Sequence, residues 1–289
     1  MNKKPHISVL TTAYNRSRYI AETIESVLQS TYQDWEMVIS DDCSTDDTVS
    51  IAQRYAAKDN RIKVYVNEKN LGDYANRNRV AFYASGKYLK YLDSDDLIFP
   101  EALNYMVINM EQHQNAGWGI CNFLPRKGES NLPVCIGNKE AYEFHYFNHP
   151  IFFASPGLTI ITKNAFDAVG GFGEKRMVGD FDMWHKLSNY SPVVLMPDQM
   201  IVIREHPGQE IKDRFKYAVE YEKVKFKYLH DSSCPLTAKQ VKTIEKERRN
   251  TVLKIAMRKL LKLDIKGAMP RLKVFWFYIK NGFKGSSVQ

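Results

Sequence analysis

The amino-acid sequence predicts an α/β protein: a mostly parallel sheet flanked by helices, with a basic helical extension at the C-terminal end. Three observations predict it. Short apolar, β-branched runs alternate four times with segments of helical periodicity between Ile7 and Met110. Such alternation builds parallel sheets covered by helices. Residues 1–211 hold 21 Lys and Arg against 26 Asp and Glu, a net −5, whereas residues 212–289 hold 20 against 7, a net +13. That change of sign divides the chain into an expected domain of residues 1–211 and an expected extension of residues 212–289. Finally, 44% hydrophobic and 26% charged residues in a chain of 289 are ordinary for a globular protein with a full core.

The elements follow in order. Ile7-Ser-Val-Leu-Thr-Thr-Ala reads as a buried strand. Ile20, Ile24, Val27 and Leu28 recur at helical spacing, which predicts a helix over 17–30. Trp35-Glu-Met-Val-Ile-Ser is a second strand that runs into Asp41 and Asp42. Ser44 and Asp47 are spaced as a capping box for a helix carrying Val49, Ala52 and Ala56. Ile62–Val66 is a third strand, and a helix with Ala75, Arg79, Phe82 and Tyr83 follows the turn Asn70-Leu-Gly. Tyr88-Leu-Lys-Tyr-Leu is a fourth strand ending at Asp93, and Pro100 is placed for the first turn of a helix with Leu103, Val107 and Met110. Residues 115–165 predict mixed sheet or binding loops. Gly170-Gly171-Phe172 marks a turn before a helix through Asp182, Met183, Trp184 and Leu187, and Val193–Met196 and Met200–Ile203 are short strands. Residues 212–262 are helical and charged.

Composition excludes several classes. Cys43, Cys121, Cys135 and Cys234 form no CxxC pair and no regular framework, which argues against structural zinc and disulfides and for reduced thiols. The N-terminal residues show no secretory leader, and no run of about 18 apolar residues exists to span a bilayer.

In a parallel sheet, ligands bind outside the carboxyl ends of the strands. Polar clusters follow three of the expected strands: Thr11–Asn15, Asp41–Asp47 and Asp93–Asp96. The run Asp93-Ser94-Asp95-Asp96 puts three carboxylates within four residues. A divalent cation relieves their repulsion and binds phosphate at the same time, since Mg²⁺ and Mn²⁺ prefer carboxylate, phosphate and water oxygens. Taken alone, the run reads equally well as a solvated acidic turn.

The ordered set of motifs resembles the family-2 glycosyltransferases, which have the GT-A fold. The matching pieces are Ser8-Val-Leu-Thr-Thr-Ala-Tyr-Asn-Arg, Ile39-Ser-Asp-Asp-Cys-Ser-Thr-Asp-Asp-Thr, Asn70-Leu-Gly with Arg77-Asn78, and Gly86–Asp96. Gly170-Gly-Phe with Gly179-Asp-Phe-Asp-Met-Trp, and Arg204-Glu-His-Pro, complete the set. The resemblance implies that Thr12, Tyr14 and Asp42 line the nucleobase pocket, Arg77 lies near the nucleotide, and Asp93 meets the ribose with Ser94 beside it. It implies that Asp95 binds Mn²⁺ or Mg²⁺ in an Asp-x-Asp motif, with His206 near the metal or diphosphate. Asp180 matches the Asp of the family's Glu-Asp motif, the general base. Here Gly179 stands in place of that Glu, so Asp182 is the alternative base.

The implied activity is metal-dependent, inverting transfer of a hexosyl group from a nucleotide-diphosphate sugar, UDP by family habit. The implied acceptor is a hydroxyl of a glycan or a lipid-linked carrier. A nucleotidyltransferase would want a Gly-rich phosphate loop, which the first strand end lacks. A nucleic-acid-binding protein would leave the acidic strand ends unexplained, so no nucleic-acid partner is expected. A binding domain without turnover stays open at this point. Residues 265–284 mix aromatics with Lys and Arg, as an interfacial membrane segment does. The expected location is therefore cytoplasmic, with peripheral contact at the inner face of the cell membrane.

Overall fold

The computed structural model of the chain describes residues 4–121, 133–196, 200–206 and 216–281. The chain divides into two compact units, residues 1–145 with 149–205, and residues 146–148 with 206–289. The expected boundary at 211/212 lies outside the described residues.

In the first unit, β1 (Ile7–Ala13), β2 (Trp35–Asp41), β3 (Ile62–Val66) and β4 (Tyr88–Tyr91) are joined by α1 (Ile20–Leu28), α2 (Thr48–Ala56) and α3 (Asp73–Tyr83). They pair in parallel in the order β3-β2-β1-β4. Cover on both sides of a parallel sheet explains why β1 and β2 are buried on both faces. Ile7, Val9, Met37 and Ile39 share one cluster with Ile20, Ile24 and Val27 of α1. Leu10 and Val38 point the other way, are fully buried too, and lie where α3 packs on β1 and β2.

After β5 (Leu97–Ile98) and α4 (Ala102–Gln112), the sheet continues through β6 (Trp118–Ile120), β7 (Val134–Ile136), β8 (Thr159–Thr162) and β9 (Val193–Leu195). Strand β8 inserts antiparallel between β4 and β6, β9 runs parallel to β6, and β7 is antiparallel to β9. The region expected to be mixed sheet is therefore the second half of an eight-stranded mixed sheet. Helices α5 (Asn138–Glu143), α6 (Lys163–Ala168) and α7 (Gly179–Tyr190) lie within it. Strand β10 (Ile201–Val202) pairs antiparallel with β5 in a separate ribbon.

Three local expectations are corrected. The capping box of Ser44 and Asp47 does not form. The Ser44 hydroxyl donates to Asp41 (2.6 Å) and accepts from the Asn15 N–H (2.8 Å), so Ser44 closes the loop after β2 instead. Asp46 does the capping work, accepting from the N–H groups of Thr48 and Ser17 (3.0 Å each). Pro100 lies outside α4, which starts at Ala102, because its carbonyl accepts from the Thr31 N–H (2.9 Å). Helix α1 also starts later than expected, at Ile20.

Burial raises the Asp46 carboxyl, but the bonds from Thr48 and Ser17 outweigh it and hold it at about 2. A carboxyl depressed on folding stabilises above its unfolded pKa and loses that contribution as pH falls. Asp46→Ala is expected to cost about 1 kcal/mol at pH 7, read as a urea midpoint shift. The difference from wild type should shrink between about pH 4 and pH 2.

The second unit is helical: α8 (Ala218–Leu229), α9 (Ala238–Leu261) and α10 (Ile265–Asn281). Thr237 and Gln240 cap α9 reciprocally. Its interior holds Val252, Val274 and Tyr278 beside a buried Glu222. That carboxylate accepts from Arg248 (2.7 Å) and from the Tyr278 hydroxyl (2.6 Å), and pairs with Lys225 (3.1 Å). A buried charge needs such partners. No helix among the described residues is long and apolar enough to cross a membrane.

Candidate active site

The parallel register brings the three polar clusters to one edge. Ala13 is level with Asp41, Leu10 is level with Tyr91, and the Leu92 N–H donates to the Leu10 carbonyl (2.9 Å). The carboxyl ends of β1, β2 and β4 thus open together, where doubly wound sheets take ligands.

At the end of β1, Thr12 is half-buried and Tyr14 is 47% exposed, free to stack on a planar group. Asn15 adopts φ +52, a left-handed turn that asparagine tolerates. The turn directs Arg16 across the edge, where its Nε donates to Asp95 Oδ2 (2.9 Å).

At the end of β2, Asp42 is buried and heavily used. Its Oδ1 accepts from the Leu71 N–H (2.7 Å) and Asn67 Nδ2 (2.9 Å), and its Oδ2 accepts from the Gly72 N–H (2.9 Å). Asn70 Nδ2 donates to the Asp42 carbonyl (3.0 Å). Asp42 therefore anchors the Asn70-Leu-Gly turn, in which Gly72 takes φ +84.

At the end of β4, Asp93 pairs with Arg77 Nη1 (2.8 Å), and Arg77 Nε donates to Asp73 (2.9 Å). Burial alone would weaken the guanidinium's hold on its proton. Asp93 and Asp73 outweigh that and keep Arg77 above its ordinary range. Ser94 is buried, and its carbonyl accepts from the Thr23 hydroxyl (3.0 Å). Burial, and then the charge of Asp93, push the Asp96 carboxyl up to about 7. Lys90 is wholly buried one strand position before Tyr91, and burial lowers it to about 8. Its ammonium donates to the carbonyls of Tyr91 (2.7 Å) and Gly157.

The β5–β10 ribbon returns Arg204 to this edge. Its N–H donates to Asp96 (3.0 Å), and its side chain bonds the Asp95 carbonyl and Glu22. Arg16, Thr23, Lys90 and Arg204 all shape the site and were absent from the sequence-based assignment. Arg16 and Arg204 stood inside quoted motifs, so a signal existed. Lys90 lies on β4 itself, inside the motif Gly86–Asp96, whereas Thr23 carried no signal, because only the fold brings it to the end of β4.

Helix α3 links this edge to Asp180. Tyr74, one turn before Arg77, donates its hydroxyl to Asp180 Oδ1 (3.3 Å), which also accepts from the Phe181 N–H (2.8 Å). Burial pushes the Asp180 carboxyl up to about 6, against the lowering effects of the Phe181 N–H and Arg77. Burial, then Asp180, raise the Tyr74 phenol, which stays a donor. Asp182 instead pairs with Lys186 (3.3 Å).

Two motif features gain a steric reason. A Cβ on Gly179 would lie 2.7 Å from two ring carbons of Tyr74, so the phenol that touches Asp180 leaves no room for a glutamate there. Asn78 grips the Gly170-Gly-Phe turn from both sides, accepting from the Phe172 N–H and donating to its carbonyl (2.9 Å each). Arg77-Asn78 and Gly-Gly-Phe are therefore one assembly.

The residues fit a divalent cation. Asp93 and Asp95 offer hard carboxylate oxygens within one short turn at the end of β4. Among the described residues no three His, Cys, Asp or Glu side chains converge as a ready cage. A cation held by one or two carboxylates takes its other ligands from phosphate and water. His206 belongs to the second unit and is half-buried. The first unit thus gathers Thr12, Tyr14, Asp42, Arg77, Asp93, Ser94, Asp95 and Asp180, without His206.

Comparison with known proteins is consistent with this geometry. The sequence model of glycosyl transferase family 2 matches residues 8–170. EpsE of Bacillus subtilis (strain 168) is 41% identical over 116 residues, 40% of this chain and 42% of that protein. TuaG of the same organism, named for teichuronic acid biosynthesis, is 47% identical over 95 residues, 33% of this chain and 38% of that protein. The chain thus spans about two fifths of the length of these relatives. In fold, it is similar to the mannosyltransferase PcManGT from Pyrobaculum calidifontis in complex with GDP-Man and Mn²⁺. The TM-score is 0.63 at 15% identity, over 98% of this chain and 88% of that one. It is also similar to S. aureus TarS 1-349 in complex with UDP-GlcNAc, with a TM-score of 0.61 at 17% identity over 96% and 92% of the two chains.

Proposed function

The chain belongs to glycosyl transferase family 2, and we propose that it moves a hexosyl group from a nucleotide-diphosphate sugar to an acceptor hydroxyl with inversion. The single observation that carries this reading is the pairing, through α3, of a donor edge with a separate raised carboxylate. Arg77 reaches Asp93, and Tyr74 reaches Asp180.

Thr12 and Tyr14 would receive the nucleobase, and Asp42 would serve that pocket by holding the Leu71–Gly72 backbone in place. Asp93, oriented by Arg77, would accept from the ribose hydroxyls, with Ser94 beside it. Asp95 would hold Mn²⁺ or Mg²⁺. When bound, that cation supplies Lewis-acid stabilisation to the leaving diphosphate. Asp180 would take the acceptor proton as the hydroxyl attacks, opposite the departing diphosphate. Its pairing with a phenol and a backbone N–H, rather than with a cation, favours it over the Lys186-bound Asp182.

The donor nucleotide is UDP in this proposal, and the acceptor is a growing glycan or a lipid-linked carrier. Peripheral work at the inner face of the cell membrane belongs to the same proposal. Incubating the protein with single nucleotide-sugars and Mn²⁺ tests it: one donor should be slowly hydrolysed, giving nucleoside diphosphate and free sugar by mass. No turnover of any donor, with or without oligosaccharide acceptors, would contradict it.

The raised Asp180 sets a pH profile. A base acts only when ionised, so kcat/KM should fall with unit slope below about pH 6, the value to which burial moves this carboxyl. A profile flat down to pH 4.5 would contradict the assignment.

A further inference from the structure

The second unit carries a surface that its own packing leaves uncovered. Helices α9 and α10 pack closely along one another and are joined by only Lys262–Asp264, so they form a helical hairpin. Around its tip Met257, Leu260, Leu261, Leu263, Ile265 and Met269 are all exposed, Leu263 at 87% and Leu261 at 84%. Leu263 takes φ +58, a conformation that disfavours any residue with a Cβ. Its largely exposed side chain gains little packing in return. Arg258, Lys262 and Lys266 are exposed among these apolar residues. Residues 254–273 hold seven Lys and Arg against one Asp. That Asp264 is bound to Lys259 (2.8 Å) and to the Gly267 N–H (2.8 Å), so it does not offset the exposed cations.

We propose that the tip of the α9–α10 hairpin is an anionic-lipid docking surface, with its leucines and Ile265 entering the headgroup layer and Arg258, Lys262 and Lys266 meeting lipid phosphates. Apolar side chains ringed by cations suit an interface that is oily below and negative above. A second copy of the chain is a poorer occupant, because two such basic tips would repel. The helices are not membrane spans, so the contact is peripheral.

This relocates the contact expected for residues 265–284. Val274 and Tyr278 are buried inside the unit, and Phe275 and Phe277 pack against that core. Trp276 is 64% exposed but lies eleven residues beyond Ile265, about 16 Å along the helix. Residues 282–284 lie outside the described residues.

The inference deepens the reading of an enzyme working at a membrane, and rests on it only for the use of the contact. Flotation of the full chain tests it with two vesicle types, phosphatidylcholine with phosphatidylglycerol, and phosphatidylcholine alone. Wild type should float with the first and far less with the second. The triple variant Leu261→Ser, Leu263→Ser, Ile265→Ser should lose about tenfold or more in partitioning, with unchanged helical circular dichroism. Lys262→Glu with Lys266→Glu should abolish the preference for anionic vesicles, and Trp276→Ser should change partitioning less than the triple variant.

Equal flotation of the triple variant and wild type would overturn the proposal. So would a larger loss from Trp276→Ser, or a wild-type dimer in lipid-free solution that the triple variant dissolves. Donor hydrolysis without vesicles separates the two readings. Flotation without hydrolysis upholds the surface and counts against the activity, whereas hydrolysis without flotation does the reverse.

Discussion

Asp180→Asn is expected to remove sugar transfer, lowering kcat by about 10³-fold, within the range that a positioned general base supplies. Donor affinity should stay within about twofold, because the proton it takes belongs to the acceptor. The substitution keeps the shape and can still accept from the Phe181 N–H and the Tyr74 hydroxyl, which now hold Asp180 Oδ1. Stability should not fall. Burial raises this carboxyl from 3.8 to about 6, so ionised Asp180 disfavours the fold by up to about 3 kcal/mol above that pH. The sign is that of a raised acid: its favourable share is present at low pH and lost as pH rises through about 6. Asp180→Asn removes that penalty, and its melting temperature at pH 7.5 should equal or exceed that of wild type. Asp182→Asn should cost far less activity, since Asp182 is committed to Lys186. The reverse ranking would move the base to Asp182.

Asp95→Asn should act at the other end of the reaction. Partners that merely orient a metal ligand are worth about 10- to 100-fold in affinity or activity, so loss of a direct ligand should weaken metal-dependent donor binding by about 100-fold or more. Binding of the donor without metal should change little. Arg16 gives the substitution a second signature. Its guanidinium bonds Asp95 Oδ2, and a cation there would compete with it. Arg16→Gln is therefore expected to tighten Mn²⁺ binding or leave it unchanged. A loss of Mn²⁺ affinity equal to that of Asp95→Asn would contradict Asp95 as the ligand.

Much of this was legible because parallel strands announce themselves. β1 and β2 are buried on both faces, and each centres on a short apolar, β-branched stretch bounded by polar residues. Their polar successors had to gather at one edge once the strands were parallel. The second half of the sheet was not legible. β6 and β7 have three residues each, and β8 has four. Segments so short show no period, and their order is set by pairing between distant parts of the chain.

Local capping logic failed at Ser44 because a nearer partner, Asp41, competes for the same hydroxyl. At Asp42 the residue type pointed to a ligand contact, whereas the fold fills its oxygens with the amides of Leu71 and Gly72. The glycine at 179 departs from the motif because Tyr74 fills the space a side chain would need.

We propose a division of labour in which the β4 end would hold the donor and Asp180 would activate the acceptor. Calorimetric titration of donor in Mn²⁺, run side by side on Asp95→Asn and Asp180→Asn with turnover measured on the same samples, tests it most directly. The expected result is a Kd within about twofold of wild type and turnover lowered about 10³-fold for Asp180→Asn, and a Kd weakened about 100-fold for Asp95→Asn. Equal loss of donor binding in both variants would contradict it.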